Sequence, residues 1–145
     1  MIDTDKEIEA AAGMAISDIF ATRGEEAFRR LETGVLEKLL KQGGRSVISV
    51  GGGLPLRAEN RALLKQLGTV VYLDVLPETV MERIGADVSD RPMLHGSDVM
   101  GRIISLLESR KPYYLKASHI IVDVNGRDVD DIVEEIHRRA VDKTC

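Results

Sequence analysis

At 145 residues the chain is sized for one domain, 1–145, long enough to bury a core without disulfide or metal staples. Hydrophobic residues at 43% and charged residues at 30% describe an ordinary globular chain, and a net charge of -4 argues against a general nucleic-acid binder, which carries a basic excess. The single cysteine, Cys145, allows no intrachain disulfide, no apolar run approaches a membrane span, and residues 1–7 lack the basic and apolar regions of a signal peptide, so a cytoplasmic location with no membrane partner is expected.

Taken in order, residues 1–4 read as the tail of a strand. Asp5 is expected to cap a helix to about Ala12, with Ile8 and Ala12 on one face and Gly13 as its stop. A short helix over 16–22 follows. Gly24 then opens a longer one whose apolar stripe is Ala27, Phe28, Leu31, Val35, Leu36, Leu39 and Leu40, ended by Gly43-Gly44. Residues 46–50 form an apolar, β-branched run without clean alternation, which predicts a strand buried on both faces. It runs into Gly51-Gly52-Gly53. Glycine there bares backbone N–H groups to a ligand and permits φ > 0, at the strand end where open parallel sheets bind ligands. A plain flexible turn is the other reading of the triplet.

Residues 57–66 predict a helix, 69–73 a second buried strand, and Pro77 the first turn of a helix to about Ile84. Residues 85–96 lack periodicity and read as a long loop. Helix resumes from about Ser97 to Leu107 or beyond, and Pro112 is expected to interrupt or restart it. Residues 119–123 predict a third strand, Asn125-Gly126 a turn, and Asp128 the cap of a last helix burying Val129, Ile132, Val133, Ile136 and Ala140. Strands alternating with helices predict an α/β fold, a parallel sheet with helices on both faces.

Several residues fit chemistry. Asp3 and Asp5, at the end of the first strand, suit water-mediated Mg²⁺ binding and proton acceptance from a hydroxyl, or else a surface carboxylate and a helix cap. Arg29 and Glu32 are three apart on a helix and share a face, as a working pair or an ordinary surface one. Arg91-Pro92 sits in the long loop, Arg110 precedes Pro112, and Arg127 follows the last turn; arginine forks recognise carboxylates and phosphates. His95, His119 and His137 show no metal-ligand spacing, and the few aromatic residues offer no stacking platform for nucleic acid.

Together these pieces resemble the shikimate kinase family over essentially the whole chain. Ile2-Asp3-Thr4-Asp5 resembles its D-T-D segment, and Gly24-Glu25, Phe28-Arg29 and Glu32 its G-E-x-x-F-R-x-x-E pattern. Gly51-Gly52-Gly53 resembles its glycine triplet, Arg91-Pro92-Met93-Leu94 its R-P-L-L lid, and Arg110-x-Pro112-x-Tyr114 its R-x-P-x-Y segment. The resemblance implies a P-loop kinase of nucleoside-monophosphate-kinase-like architecture, strand order 2-3-1-4-5, that moves the γ-phosphoryl group of ATP to the 3-hydroxyl of shikimate with Mg²⁺, working as a monomer. It implies that Asp5 holds the shikimate hydroxyls and acts as base, and that Asp3 supports the metal through water. Arg29 and Arg110 would grip the carboxylate, Glu32 would orient Arg29, and Gly51, Gly52 and Gly53 would floor the ring. Arg91 would close over the phosphates from a mobile lid at 85–96, with Arg127 and Arg83 against the adenine. The family's first strand, central in the sheet, and its G-x-x-x-x-G-K-S/T loop have no counterpart in these 145 residues, so the architecture is expected with that strand missing. The runner-up is a non-catalytic shikimate-binding or degenerate kinase-like protein. A gluconate-type kinase fits Arg29, Glu32 and the R-x-P-x-Y segment poorly.

Overall fold

The computed structural model describes residues 1–84 and 98–144, which fall into two compact units, Met1–Gly68 and Thr69–Cys145. The expected lid at 85–96, with Arg91 and His95, and the terminal Cys145 lie outside the described residues.

The first unit contains β1 (Ile2–Asp3), α1 (Thr4–Ala12), α2 (Ile16–Gln42), β2 (Ile48–Ser49), a 3₁₀ turn at Leu54–Leu56 and α3 (Ala58–Leu67). β1 and β2 pair in parallel, Ile2 opposite Ile48 and Asp3 opposite Ser49. The cap of α1 is Asp3 rather than Asp5. Asp3 is extended (φ -110, ψ 117), and its carboxylate accepts from the N–H groups of Asp5 at 2.9 Å and Lys6 at 3.3 Å. Asp5 already lies inside the first turn, where a side chain no longer reaches the leading N–H groups. Gly13 closes α1 at φ 70, donating to the Glu9 carbonyl.

The two helices expected around Gly24 form one element with a break at that residue (φ 84, ψ 172), a backbone state glycine adopts at least cost. Beyond it α2 buries Phe28, Val35, Leu36 and Leu39. Phe28, Val35 and Leu39 join Ile8 and Ile19 in a core that Ile2, Ala12, Leu31 and Ile48 also pack against. β2 is not buried on both faces. Ile48 meets this core while Val47 is 70% exposed and Ser49 exposed, because the helices of the unit cover only one face of the strand pair.

The second unit contains β3 (Val71–Asp74), α4 (Pro77–Ile84), α5 (Val99–Ala117), β4 (Ile120–Asp123) and α6 (Val129–Thr144). β3 and β4 pair in parallel from Val71–Ile120 to Asp74–Asp123. Ile120, Val122, Val124 and Ile132 form the core, with Val71, Val75 and Ile136 against it. β4 buries Ile120 and Val122 on one face and leaves Ile121 exposed on the other, while on β3 Leu73 is also exposed. Both strand pairs, β1–β2 and β3–β4, are parallel; counted after the family's missing first strand they are strands 2 and 3 and strands 4 and 5, each adjacent in the order the resemblance implies.

Two local expectations need correction. α5 runs unbroken through Pro112. Its burial of Ile103 before the proline and Ala117 after it holds both halves in one helix, at the loss of a single i→i−4 bond. In α6 only the Ile132–Ile136 edge of the predicted stripe meets β4, and Val129 and Val133 are exposed. Those valines lie further round the helix, where the strand pair no longer reaches.

Candidate active site

β2 delivers the glycine triplet to the start of α1. The N–H of Gly51 donates to the Thr4 hydroxyl at 3.0 Å, and Thr4 is wholly buried. A Cβ on Gly51 would lie 2.7 Å from Asp5 Oδ1, and one on Gly53 would lie 2.6 Å from Arg29 Nη2. Neither glycine has positive φ, and Gly53 is right-handed (φ -90, ψ -13). The expected need for φ > 0 is therefore not why glycine stands at these two positions. Space is the reason: a carboxylate and a guanidinium lie against the backbone where a side chain would be.

Arg29 projects from α2 just past the buried Phe28, whose ring centroid is 5.3 Å from its guanidinium carbon. Nη1 donates to Glu32 Oε1 at 2.8 Å, and Nη2 to Glu25 Oε1 at 3.4 Å. Glu32 is 1% exposed. Burial pushes its carboxyl above the usual range, against the pull of the Arg29 bond and charge. This is an oriented, partly desolvated pair rather than a surface one.

Behind the triplet a polar chain fixes the backbone. Thr33 on α2 donates to Asn60 Oδ1 at 2.7 Å, and Asn60 Nδ2 donates to the Leu54 carbonyl at 2.9 Å. Arg61 Nη1 reaches the carbonyls of Pro55 and Leu56 at 2.9 and 3.0 Å. A cavity of about 430 Å³ opens beside Arg29, lined by Glu25, Glu26, Arg29, Leu56 and Arg57. Arg57 binds Glu26 at 2.5 Å and holds the Glu26 carboxyl below its usual range.

The first unit thus brings together Asp5, Arg29, Glu32, Gly51 and Gly53, all expected from sequence, with the exposed Gly52 between its two neighbours. Thr4, Asn60 and Arg57 were missed. Asn60 had a signal, a polar residue four before Leu64 on the buried face of α3. Asp3 Oδ1 serves as the helix cap, and among the described residues no cluster of three or more His, Cys, Asp or Glu could hold a metal. The donor set suits only a largely hydrated ion such as Mg²⁺, held through water.

In the second unit Arg83 and Arg127 meet at the end of β4. Arg83 Nη2 donates to the Val124 carbonyl at 2.9 Å and lies 3.5 Å from that of Arg127. Arg127 Nη1 donates to the Asp123 carbonyl at 2.8 Å and to Glu135 at 2.6 Å. Asn125 Oδ1 accepts from the Leu76 N–H and the Thr79 hydroxyl at 2.8 and 2.7 Å, tying this turn to α4. Arg110 is half-buried on α5. Further along that helix the Tyr114 ring lies 5.3 Å from that of Tyr72, whose hydroxyl is pushed up to about 12, chiefly by burial and also by Asp74.

Parallel strand pairs with interleaved helices define an α/β protein, and its first unit sets a carboxylate and a guanidinium against a glycine strip. The family model for shikimate kinase matches residues 1–141. Consistent with it, the shikimate kinase of Symbiobacterium thermophilum is 43% identical over 136 residues, 93% of this chain and 78% of that protein. That of Thermus thermophilus is 43% identical over 135 residues, 93% and 72% of the two chains. Among solved structures, shikimate kinase from Acinetobacter baumannii in complex with shikimate superposes with TM-score 0.87 at 34% identity, covering 98% of this chain and 78% of that one. Shikimate kinase from Bacteroides thetaiotaomicron gives 0.82 at 31%, covering 95% and 80%. The chain belongs to the shikimate kinase family, with its P-loop kinase fold. Among the described residues no helix is long and apolar enough to cross a membrane.

Proposed function

We propose that this chain binds shikimate over the glycine triplet and takes part in its ATP-dependent phosphorylation at the 3-hydroxyl, in the cytoplasm. The observation that carries the reading is the placement of Asp5 and Arg29 against Gly51 and Gly53. A ring seated over that strip meets a carboxylate at one end and a guanidinium at the other, matching a molecule with hydroxyls opposite an acid group.

Each residue then has a physical task. Arg29 takes the substrate carboxylate by charge-assisted hydrogen bonds, and Glu32 holds the guanidinium in plane for it. Gly51 and Gly53 leave room for the Asp5 carboxylate and the Arg29 guanidinium to lie against the backbone, and Thr4, bonded to the Gly51 N–H, keeps that strip in register. Asp5 orients the reacting hydroxyl and accepts its proton as the oxygen attacks phosphorus. Phosphoryl transfer asks little else of the protein than position and charge. Bound Mg²⁺, held by Asp3 through water, would supply neutralisation of the phosphate charge. For Arg110, Arg91, Arg83 and Arg127 we adopt the roles the resemblance implies: a further grip on the carboxylate, closure over the phosphates, and contact with adenine for the last two.

Calorimetric titration with shikimate, followed by ADP release with shikimate, ATP and Mg²⁺, tests the reading. Saturable binding that Arg29→Ala abolishes, together with ADP release, supports it. Binding without turnover favours the non-catalytic alternative. No binding by the unaltered chain rejects both.

A further inference from the structure

Two glutamates flank Arg29 at the mouth of the cavity, and they are held very differently. Glu26 is bound by Arg57 at 2.5 Å, so its charge is already matched by a partner of its own. Glu25 is 69% exposed, and its partner among the described residues is Arg29 Nη2 at 3.4 Å, a long contact. The other branch of the same guanidinium, Nη1, is bound at 2.8 Å by the buried Glu32. Arg29 is therefore anchored through one nitrogen and only loosely engaged through the other. Both nitrogens lie against the glycine strip: a Cβ on Gly53 would meet Nη1 first and Nη2 at 2.6 Å.

We propose that Glu25 is an internal competitor for the substrate carboxylate, occupying Arg29 Nη2 until an anionic ligand displaces it; this rests on the reading of Arg29 given above. A weakly held carboxylate one helical turn away has a high local concentration but little bonding energy. It keeps stray anions off Arg29 and yields to a ligand that also engages Asp5 and the triplet. The same Glu25 charge repels the incoming carboxylate, so absolute affinity is lower than the site would otherwise give. Affinity is exchanged for selectivity toward a ligand that makes all the contacts together.

The test is titration of the full chain with shikimate, comparing the unaltered protein, Glu25→Gln and Arg29→Ala at low and high ionic strength. Glutamine keeps the side chain's length and removes its charge. Because exposed i,i+4 pairs are weak, Glu25→Gln is expected to tighten binding roughly two- to five-fold at low salt. That gain should vanish near 1 M salt, where charges a few ångströms apart are screened. A purely structural role for Glu25 would not produce a salt-dependent gain. Unchanged or weaker binding in Glu25→Gln, with Arg29→Ala still losing shikimate, overturns the competitor alone. Shikimate binding absent from the unaltered chain, or intact in Arg29→Ala, overturns the competitor and the Arg29 assignment together.

Discussion

Arg29 and Glu32 face each other one helical turn apart on α2, 2.8 Å between Nη1 and Oε1, with the glutamate 1% exposed and the arginine 14%. The glutamate is the more deeply buried partner, and its desolvation outweighs the attraction of the guanidinium for its charged form. The pair is thus costly to ionise and directional once ionised, which suits a group whose task is to aim another.

The pH dependence follows. The folded-state pKa of Glu32 is raised above its ordinary 4.5, so between 4.5 and that higher value the native state holds a proton the unfolded state has lost. Stability from this group is full below 4.5 and falls as pH rises through the folded value. Against Glu32→Gln, which cannot titrate, the unaltered chain should lose relative stability over that interval, read from denaturant midpoints at a series of pH values. Shikimate affinity should run the opposite way, improving as Glu32 ionises.

Arg29→Lys keeps the charge but loses the planar fork. Loss of a charge-assisted bond should weaken shikimate binding by roughly 1.5–3 kcal/mol. The thermal midpoint should fall less than in Arg29→Ala, since lysine keeps a cation beside the buried Glu32 though not the guanidinium's bond to it. Calorimetry with shikimate reads the first, a melting curve the second.

Asp5→Asn preserves shape and removes the proton acceptor. The expected fall in kcat is roughly 10²–10⁴-fold with a smaller change in KM. Initial rates of ADP release at saturating shikimate measure it, and an unchanged kcat would take the base role away from Asp5.

Gly53→Ala separates space from backbone freedom. Its conformation suits alanine, yet the added methyl would sit 2.6 Å from Arg29 Nη2. The fold should survive while Arg29 is pushed off its position, so shikimate affinity should drop at least ten-fold with the melting midpoint nearly unchanged. Unaffected binding would mean that Arg29 does not lie over the triplet in solution.

Asn60→Ala strips a partner from the Leu54 carbonyl, while the half-buried Thr33 hydroxyl keeps only its longer bond to the Arg29 carbonyl at 3.3 Å. A buried polar group that loses its partner costs roughly 1–3 kcal/mol. Urea denaturation should show a clear loss of stability, and the KM for shikimate should rise because the turn after the triplet is no longer pinned.

How far the chain could be read before folding differs from feature to feature. Apolar spacing located α2 and α6, glycines marked where α1 and α2 end, and β-branched runs located β2, β3 and β4, since each reports a local backbone preference. Asp3, Asp5, Arg29, Glu32, Arg91, Arg110, Arg127 and the triplet stood out because charged residues and glycines beside core positions follow the family's order and spacing. The cap of α1 depended on which aspartate was extended and which already helical, a difference of two residues that composition leaves open. Pro112 stays inside α5 because burial on both sides outweighs one lost hydrogen bond. β2 is covered on one face only, since burial is set by what lies opposite rather than by the strand's own composition.

The amino-acid sequence alone determined the family, the α/β alternation and the list of charged residues with chemistry in them. Only the tertiary structure decided that Asp5 and Arg29 both lie on the glycine strip, that Glu32 is buried while Glu25 is not, and that Thr4 and Asn60 hold the strip in place. The physical reason is range. Helix and strand preferences act over a few residues, whereas the distance between Thr4 and Gly51, 47 positions apart, is fixed by how β1 and β2 pair and how α1 and α2 pack beside them.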